Sequence, residues 1–473
     1  MKYDYDLISI GLGPAGMAVS VMASEMGLKV AAVEKHKIGG ECMNCGCIPS
    51  KAILRMAQFR HQVSELPKMQ LSSLDLPVPQ KGLFDKIQGD LKFINEKKTL
   101  KIFDKVNLFL EQGAAEFVDN HTVQVGNKKL TAKRIFICTG TKPAILPIPG
   151  LKEVNPLTNE NLFTLEKIPE SMIVLGGGAI AVEMAQAFVR LGTKVSMLQR
   201  SPHILSKMDQ DAAIIVEEAL KREGVNLVTG DTGKKVSREN GRIRLETNGG
   251  VVLEADEILA ASGRSMDFSA LKLENAGIKY SPKGIIVNKH LQTSAKNVYA
   301  VGDCNGYYLF SHAAMHQGMI ALMNSMMAKP MRMDFRKYVV PATMFSTPQV
   351  SSVGLTEAEL KRKGIKYEAI QVNYADYGAA IAEEIPEGFV KVFTNAFGKI
   401  FGAVIVGEGS GEMINEWALA VQQKMRMHKI MFLQHSFPTM GFLSKRVAET
   451  WMMKRMKLNL LKRMASTFFR IMP

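Results

Sequence analysis

Two stretches of the chain repeat one pattern of apolar and polar positions. Residues 5–10 form a mainly apolar run that leads into glycines and a helical segment, and a second apolar run follows at 29–33. The same order recurs at 171–175 and 194–198, with glycines and a helical segment between them. Short apolar runs that alternate with helices are typical of buried parallel strands. We therefore predict an α/β chain with a duplicated, Rossmann-like nucleotide-binding unit.

The first unit carries a glycine-rich motif between its strand and its helix. The motif has the form G-x-G-x-x-G, and an acid, Glu34, closes the second strand. Glycines in this pattern let the backbone approach a pyrophosphate at the helix N-terminus, and the acid accepts both ribose hydroxyls. Because strand, helix and acid are all in place, the motif predicts a bound dinucleotide. Its residues are Gly11, Gly13, Pro14, Ala15 and Gly16.

The second unit differs from the first at two points. Ala181 stands where a third glycine is expected, and Gln199 stands where an acid would bind the ribose hydroxyls of NAD. Arg200 follows at once, although no second arginine comes after it. A missing acid beside a cation suits a 2′-phosphate, so we predict NADPH ahead of NADH and leave NADH open. The predicted contacts of this nucleotide are Gly176, Gly178, Ala179, Ile180 and Arg200.

A cluster of cysteines follows the first unit, in the stretch GGECMNCGCIPSK at 39–51. Cys42 and Cys47 are five positions apart, close enough to form a disulfide if the chain turns back on itself. Pro49 and the residues after it predict a helix, so Cys47 would lie near a helix N-terminus, where the thiolate is favoured. A disulfide closed over so few residues at such a place indicates a redox couple.

This stretch resembles the redox-active motif of the flavin-dependent pyridine nucleotide–disulfide oxidoreductases of class I. That family includes dihydrolipoamide dehydrogenase, glutathione reductase and mercuric reductase. The resemblance covers about residues 4–445 and implies FAD in the first unit, a nicotinamide in the second and an α+β C-terminal domain that forms a homodimer. The implied segments are 1–149 and 265–336 for FAD, 150–264 for NAD(P), 337–449 for the interface and 450–473 for a tail.

The resemblance also implies a role for individual residues. Cys47 would be the thiolate next to the flavin, Cys42 the interchange thiol that meets the acceptor, and Lys51 would form an ion pair with Glu183 near flavin N5. Gly263 would end the nicotinamide domain. The remaining residues implied to contact FAD are Gly40, Ala115, Thr139, Gly140, Asp303, Leu309, Phe310, Ser311 and His312.

The chain departs from the family where relatives that reduce disulfides carry an acid–base pair, His and Glu, contributed by the partner subunit. Phe437 and Phe442 occupy those positions here, and His435 lies two residues upstream of the first. Phenylalanine has no proton to give. We therefore expect an acceptor that needs little proton handling, such as a soft metal ion, a persulfide or polysulfide, or a quinone. A small disulfide of the glutathione or lipoamide type stays open, as does proton transfer by His435.

Three further cysteines are Cys45, Cys138 and Cys304. The last two follow predicted strands and are interpreted as core residues. For Cys45 two readings stay open: a third reactive thiol that passes a persulfide or binds a soft metal, or a small buried hydrophobic residue. An odd and small number of cysteines in a chain of 473 residues favours a reducing compartment, so we expect a cytoplasmic protein.

The formal net charge of +15 is concentrated near the end of the chain. Residues 445–473 contain eight basic residues and one acidic residue, Glu449. The apolar positions there recur at three and four, which predicts a basic amphipathic helix that lies on an anionic membrane or docks on the dimer. The stripe consists of Met453, Met456, Leu460, Met464 and Phe468.

Other classes of function receive less support. Nucleic-acid binding is not expected, since no aromatic–basic surface or known motif accompanies the basic tail. The sequence contains no apolar run of about 18 residues or more, so we expect no membrane-spanning segment. A membrane-associated electron-transfer subunit or redox sensor remains the rival from a different class.

Overall fold

The computed structural model of the chain describes residues 2–74, 76–78, 82–457 and 459–471. Within the last helix, the side chains of residues 459–461 and 463–465 lie outside this description. The helices are α1 (Pro14–Glu25), α2 (Gly40–Asn44), α3 (Cys47–Ser64), α4 (Leu83–Phe93), α5 (Ala179–Arg190), α6 (Gln210–Arg222), α7 (Ser311–Met326), α8 (Glu357–Arg362), α9 (Gly378–Ala382), α10 (Ser410–Gln422), α11 (Met427–Phe432), α12 (Phe442–Met456) and α13 (Asn459–Ile471).

The strands of the first half are β1 (Tyr5–Ile10), β2 (Val30–Glu34), β3 (Asn107–Leu110), β4 (Ala115–Phe117), β5 (Thr122–Val125), β6 (Lys128–Ile137), β7 (Lys142–Pro143), β8 (Ser171–Leu175), β9 (Lys194–Gln199), β10 (Asn226–Thr229) and β11 (Gly233–Glu239). The later strands are β12 (Arg242–Thr247), β13 (Val252–Ala255), β14 (Glu257–Ala260), β15 (Arg264–Ser265), β16 (Tyr280–Ser281), β17 (Gly284–Ile285), β18 (Val298–Ala300), β19 (Ala342–Met344), β20 (Val350–Gly354), β21 (Glu368–Asn373), β22 (Phe389–Thr394) and β23 (Ile400–Val406).

A seven-stranded sheet carries the first nucleotide-binding unit. Its order is β3-β2-β1-β6-β5-β4, and β18 also pairs with β6. The pairs β1–β2, β2–β3, β1–β6 and β6–β18 are parallel, so the chain leaves β1, β6 and β18 at one edge of the sheet. Ile10 and Ala300 both register with Ile137 at this edge. The loops that follow the three strands therefore lie side by side.

A second set of parallel strands forms the core of the repeated nucleotide-binding unit. The strand β8 pairs in parallel with both β9 and β14, with Ile173 opposite Ser196 and Ile258. All five residues of β8 are buried, which explains why its sequence is almost continuously apolar. The strands β11, β12 and β13 then form an antiparallel sheet of their own.

The C-terminal part is an antiparallel sheet packed against helices. Its five strands run in the order β19-β20-β23-β22-β21. Its core contains Trp417 of α10, whose indole N–H donates to Ser444 Oγ at 3.1 Å, and Trp451 of α12. The predicted fold class, two Rossmann-like units followed by an α+β domain, is confirmed.

The chain forms two compact units. One contains the chain up to Gly176, Ala187–Leu198 and Asp231–Lys337, and the other contains Gly177–Gln186, Gln199–Gly230 and the chain from Tyr338 onward. The five segment boundaries predicted from the sequence remain predictions. Among the described residues, no helix combines the length and the apolar character needed to cross a membrane.

The predicted tail is not one continuous helix. The helix α12 ends at Met456, and α13 is separate and begins at Asn459. Trp451 of α12 is buried in the core of the C-terminal sheet, so the beginning of the predicted tail belongs to that core. Within the predicted stripe, Met453, Met456 and Phe468 are exposed, whereas the side chains of Leu460 and Met464 lie outside the described residues.

Candidate redox and cofactor site

In the first glycine-rich loop, two glycines have no room for a side chain, and a third borders open space. A Cβ on Gly11, whose φ is +94°, would lie 2.6 Å from Cys138 O, and a Cβ on Gly16 would lie 1.8 Å from Gly11 O. Only glycine therefore fits at these two positions. Nothing lies within 4 Å of the corresponding point on Gly13, which precedes Pro14 at the start of α1. The N-terminus of α1 thus faces open space that suits a phosphate.

Glu34 is placed as the sequence predicts, at the end of β2. Its side chain is buried, and Oε2 accepts a hydrogen bond from Leu12 N at 2.8 Å while Oε1 accepts one from His36 N at 2.9 Å. A carboxylate oxygen can accept more than one hydrogen bond, so ribose hydroxyls can be added to these contacts. The glycine loop and its acid fit the adenosine diphosphate half of FAD.

The redox loop lies directly against this glycine loop. A Cβ on Gly40 would be 2.9 Å from Gly13 Cα, so α2 begins in close contact with the first glycine-rich loop. Asn44 closes the turn, since its Nδ2 donates to Ile38 O at 2.9 Å and to Gly40 O at 2.8 Å. The chain then passes through Gly46 into α3, which begins at Cys47.

Cys42 and Cys47 are free thiols that form a hydrogen bond to each other. The hydrogen bond from Cys42 lowers the pKa of Cys47 to about 6; burial opposes this, and Ser311 and the charge of Lys51 contribute to the lowering. The same bond to Cys47 raises the pKa of Cys42, and burial adds to the increase. The two thiols are therefore asymmetric, and Cys47 is the one on which a thiolate is favoured.

Ser311, predicted to contact the flavin, also contacts the thiolate. Its Oγ lies 3.2 Å from Cys47 Sγ, and it is the first residue of α7. Of the neighbouring predicted residues, Leu309 and Phe310 are exposed, and the rings of Phe310 and His312 lie 5.5 Å apart. These four residues lead into α7 beside the cysteine pair.

The loops after β6 and β18 supply a carboxyl group to the same edge. Thr141 Oγ1 donates to Asp303 Oδ2 at 3.5 Å, and Arg264 Nε donates to Thr141 Oγ1 at 2.8 Å. Burial raises the pKa of Asp303 to about 6, and Arg264 opposes this increase. Gly140, with φ +67°, has nothing within 4 Å of its Cβ position, so Thr139 and Gly140 leave room for a ligand. These residues fit the ribityl and flavin half of FAD.

Other predicted site residues are located without a contact that tests their role. Ala115 is buried on β4, and Gly263, with φ +143°, has an open Cβ position. Glu183 is buried and its Oε1 accepts a hydrogen bond from Phe345 N at 2.8 Å, while Lys51 Nζ donates to Ser50 Oγ at 3.5 Å. The ion pair between Lys51 and Glu183 stays a prediction.

In the second glycine-rich loop, Gln199, which replaces the acid, contacts one glycine and leaves another open. A Cβ on Gly177 would lie 2.9 Å from Gln199 Cδ, so the amide of Gln199 packs over the loop. Gly178 has nothing within 4 Å of its Cβ position, and Ile180 and Arg200 are exposed. Gly176, with φ +119°, approaches Ala261 O. This loop has the open backbone that a second dinucleotide needs.

The positions of the missing acid–base pair form an aromatic cluster. The rings of Phe437 and Phe442 lie 5.3 Å apart, and Tyr377 stacks on Phe442 at 6.1 Å. His435 lies next to this cluster in the chain and is 9% exposed, with Nε2 2.9 Å from Glu416 Oε1. Glu416 was missed by sequence reasoning, because it lies on α10 at a position that no motif connects with His435.

Comparison with known proteins identifies the class. The chain matches the model "Pyridine nucleotide-disulphide oxidoreductase" over residues 5–318 and the model of that family's dimerisation domain over residues 340–445. The chain therefore belongs to this family. It is an FAD-dependent NAD(P)H:disulfide-type oxidoreductase, and its dimerisation domain supports a homodimer.

Individual relatives come from more than one branch of the family. The chain is 35% identical to a mercuric reductase of Staphylococcus aureus over 425 residues, covering 89% of this chain and 77% of the relative. It is 33% identical to a dihydrolipoyl dehydrogenase of Geobacillus stearothermophilus, covering 94% of this chain and 95% of the relative. Among solved structures, the HOCl-induced flavoprotein disulfide reductase RclA from Escherichia coli superposes with a TM-score of 0.84 at 26% identity. The superposition covers 95% of this chain and 99% of RclA.

The contact between Ser311 and Cys47 leads to a prediction about pH. Ser311→Ala removes a hydrogen bond to the thiolate, and a bond to a charged group contributes about 1.5–3 kcal/mol, or about one to two pH units. The pKa of Cys47 should therefore rise from about 6 toward about 7 or 8. The measurement is the pH midpoint of the thiolate–flavin charge-transfer absorbance in the two-electron-reduced enzyme.

This absorbance should disappear as the pH falls through the pKa of Cys47, and the variant should lose it at the higher pH. Ser325→Ala near the other end of α7 is the matched control, since its hydroxyl donates to the helix backbone at Leu322 O. An unchanged midpoint in Ser311→Ala would contradict the assignment of Cys47 as the thiolate.

Proposed function

We propose that the protein passes electrons from NADPH, through FAD, to the Cys42–Cys47 pair and on to a thiophilic acceptor, in the first place a soft metal ion. The observation that carries this proposal is the hydrogen-bonded, asymmetric dithiol with Ser311 on one side. Such a pair offers a thiolate to the cofactor and a protonated thiol to the acceptor.

FAD would be held by the first glycine-rich loop, Glu34, the Thr139–Thr141 turn and Asp303. When bound, the flavin supplies a relay that takes a hydride from the nicotinamide and delivers two electrons to sulfur. Lys51 would balance the charge of the reduced ring. Arg264 and Thr141 hold the Asp303 carboxyl in place beside the redox loop.

The chemistry at sulfur needs no further acid or base if the acceptor is a soft divalent metal. Both sulfurs bind the ion as thiolates and release the proton of Cys42 to solvent. The ion then takes two electrons and is reduced to the element, while the two thiolates lose them and form the disulfide. The aromatic cluster at Phe437 and Phe442, which has no titrating group at these two positions, is compatible with this reaction.

Two comparisons support a metal as acceptor. Relatives at 35% identity are named mercuric reductase, and the structure of RclA has been solved as a Cu(II) complex. The sequence contains no cysteine after Cys304, so Cys42, Cys45 and Cys47 are the cysteines of the redox loop that could bind a metal. In the part of the chain that the structure describes, no cluster of three or more His, Cys, Asp or Glu residues forms a metal site. The substrate would therefore bind at the redox pair itself.

A small disulfide is the second candidate acceptor, and one observation favours it. His435 is held by Glu416 in the manner of an oriented acid–base, and its position two residues before Phe437 is close in sequence to where the family carries its histidine. In the homodimer, His435 of the partner subunit would then transfer the proton that a departing thiolate requires.

An anaerobic assay of NADPH oxidation distinguishes the acceptors. We expect Hg(II), supplied with excess thiol, to sustain turnover. Cys42→Ser and Cys47→Ser should each reduce it at least about 100-fold, because the one remaining thiol cannot release two electrons by forming the Cys42–Cys47 disulfide. Cys45→Ser is the matched control and should keep the wild-type rate.

His435→Gln separates the two candidates. If the acceptor is a metal, this variant should turn over at the wild-type rate. If the wild type instead turns over lipoamide or glutathione disulfide faster than the metal, and the variant is slower with these disulfides, a small disulfide would be the acceptor. Steady turnover with any of these acceptors would argue against a sensor without catalysis.

We further propose NADPH as the preferred nucleotide. Gln199 packs over the glycine loop and cannot act as an anionic acceptor, while the exposed Arg200 is free to meet a 2′-phosphate. Arg200→Ala should raise KM for NADPH about 10- to 100-fold, as expected for one lost charge-assisted hydrogen bond, and leave KM for NADH unchanged. Lys207→Ala, which removes an exposed cation seven positions further along the chain, is the control. Equal effects on both nucleotides would contradict a 2′-phosphate contact.

Finally, we propose that α13 lies on anionic membrane. Phe468, Phe469 and Ile471 are exposed on this helix, Lys462 and Arg470 are exposed cations, and no acid follows Glu449 in the sequence. Exposed aromatic rings beside exposed cations match the chemistry of an anionic bilayer surface. Docking of this helix on the dimer is the alternative.

Vesicle binding tests this surface. The full chain should sediment with vesicles of phosphatidylserine and phosphatidylcholine, and less in high salt. Replacing Phe468 and Phe469 by serine should weaken partitioning at least about tenfold, because each buried ring contributes about 1.5–3 kcal/mol. Ile286→Ser removes an exposed apolar side chain elsewhere and should have no effect. Equal partitioning of the double variant, or no partitioning of the wild type, would favour docking on the dimer.

A further inference from the structure

The helix α7 begins beside the redox pair and carries no charged side chain. Its first residue is Ser311, whose Oγ lies 3.2 Å from Cys47 Sγ. The sequence of this helix contains no Asp, Glu, Lys or Arg over its 16 residues. The exposed face of a surface helix ordinarily carries charged and polar residues. The composition of the exposed face of α7 therefore needs a specific explanation.

One face of α7 is buried in close contact with its surroundings. A Cβ on Gly318 would lie 2.7 Å from Ala15 O, so α7 packs directly on the backbone of α1. On the same helix, Gln317 is buried, and its Oε1 accepts hydrogen bonds from Gly302 N at 2.9 Å and from Asn305 Nδ2 at 2.6 Å. These contacts fix the rotation of α7 about its axis and so determine which residues form its other face.

The other face of α7 consists of methionine and histidine. The exposed positions of the helix are His312, Met315, Met319 and Met326, and His316 is partly exposed. Met315 and Met319 are 48% and 40% exposed. Residues three and four apart on a helix are neighbours, with Cβ atoms about 5–6 Å apart, so the first two turns of this face bring two thioethers and two imidazoles together. We name these four residues the α7 cluster: His312, Met315, His316 and Met319.

The donor atoms of the α7 cluster suit a soft metal ion. Thioether sulfur selects Cu(I) and similar ions, and imidazole nitrogen is also a ligand for copper. Two histidines four positions apart on one helix face form a known metal-binding arrangement. Among the described residues, no group of three or more His, Cys, Asp or Glu could hold a metal ion. The α7 cluster is a different kind of site, because two of its four donors are thioethers.

We propose that the α7 cluster binds a soft monovalent metal ion, Cu(I) or an ion of similar chemistry. A helix rises about 1.5 Å per residue, so the site would lie within about 12 Å of Ser311 along the helix axis and therefore close to the redox loop. It uses none of the three thiols of that loop. The inference therefore goes beyond the proposed function and does not depend on which acceptor the redox pair uses.

The test measures binding of Ag(I), a soft ion of the same charge as Cu(I), by isothermal titration calorimetry in chloride-free buffer without NADPH. The protein is the full-length, FAD-loaded chain that carries Cys42→Ser, Cys45→Ser and Cys47→Ser, so that the thiols of the redox loop cannot bind the ion. Cys138 and Cys304 are retained because both are buried. We expect one Ag(I) to bind per chain in this triple-serine background.

In the same background, Met315→Leu/Met319→Leu removes two thioethers and nearly conserves the volume of both side chains. It should weaken Ag(I) binding at least about tenfold, because even loss of an outer-shell partner weakens metal affinity about 10- to 100-fold. Met453→Leu/Met456→Leu is the matched control, since it removes two exposed methionines from α12, a helix without histidine. The control should bind Ag(I) as the background does, and both double variants should retain FAD.

Protection from oxidation gives a second readout, with the α7 cluster unaltered. Peroxide converts an exposed thioether to the sulfoxide, and a thioether bound to Ag(I) is not available for this reaction. Peptide mapping by mass spectrometry should show slower oxidation of Met315 and Met319 when one equivalent of Ag(I) is present. Oxidation of Met331, which is 66% exposed and lies outside α7, should be unchanged.

The two readouts together decide the inference. Protection of Met315 and Met319, with weaker binding in the Met315→Leu/Met319→Leu variant, would support it. Unchanged binding in that variant, or an equal loss in the control, would overturn it. Absence of both binding and protection would also overturn it, and would favour an α7 face that the second subunit of the homodimer covers. Turnover of Hg(II) by the wild type is a separate measurement, so failure of the proposed function would leave these results unaffected.

Discussion

The redox site depends on the hydrogen bond between Cys42 and Cys47. This bond lowers the pKa of Cys47, and Ser311, Lys51 and the start of α3 act in the same direction, so the negative charge of a thiolate is favoured on Cys47. If the hydrogen bond were lost, the two thiols would become similar and neither end of the electron path would be defined. The closed turn formed by Asn44 keeps the hydrogen bond within reach.

The sheet explains why this pair is located beside a cofactor cradle. Parallel strands β1, β6 and β18 end together, so the first glycine-rich loop, the Thr139–Thr141 turn and Asp303 share one edge. Gly40 brings the redox loop against Gly13, where any side chain on Gly40 would collide with the backbone. The redox loop is therefore fixed to the first glycine-rich loop by backbone packing.

Features that depend on local patterns could be predicted from the sequence. The strand–glycine–helix order predicted both Rossmann-like units, and the spacing of Cys42 and Cys47 predicted that these two thiols lie together at the start of a helix. Contacts between remote positions could not be predicted, because no periodicity connects them: Glu41 meets Arg264, and His435 meets Glu416. The prediction of a single helix for the tail was wrong for a different reason. The apolar positions keep the same spacing past Met456, where α12 ends, so the spacing does not indicate that a second helix begins at Asn459.

This chain departs from its family at two places, the positions of the acid–base pair and the redox loop. The two positions that relatives use for an acid and a base hold phenylalanines, which removes titrating groups from them. At the redox loop, by contrast, a carboxylate and an additional thiol are present together. Both changes alter the chemistry available to the pair, because a phenylalanine cannot transfer a proton and a third thiol is a nucleophile whenever it is deprotonated.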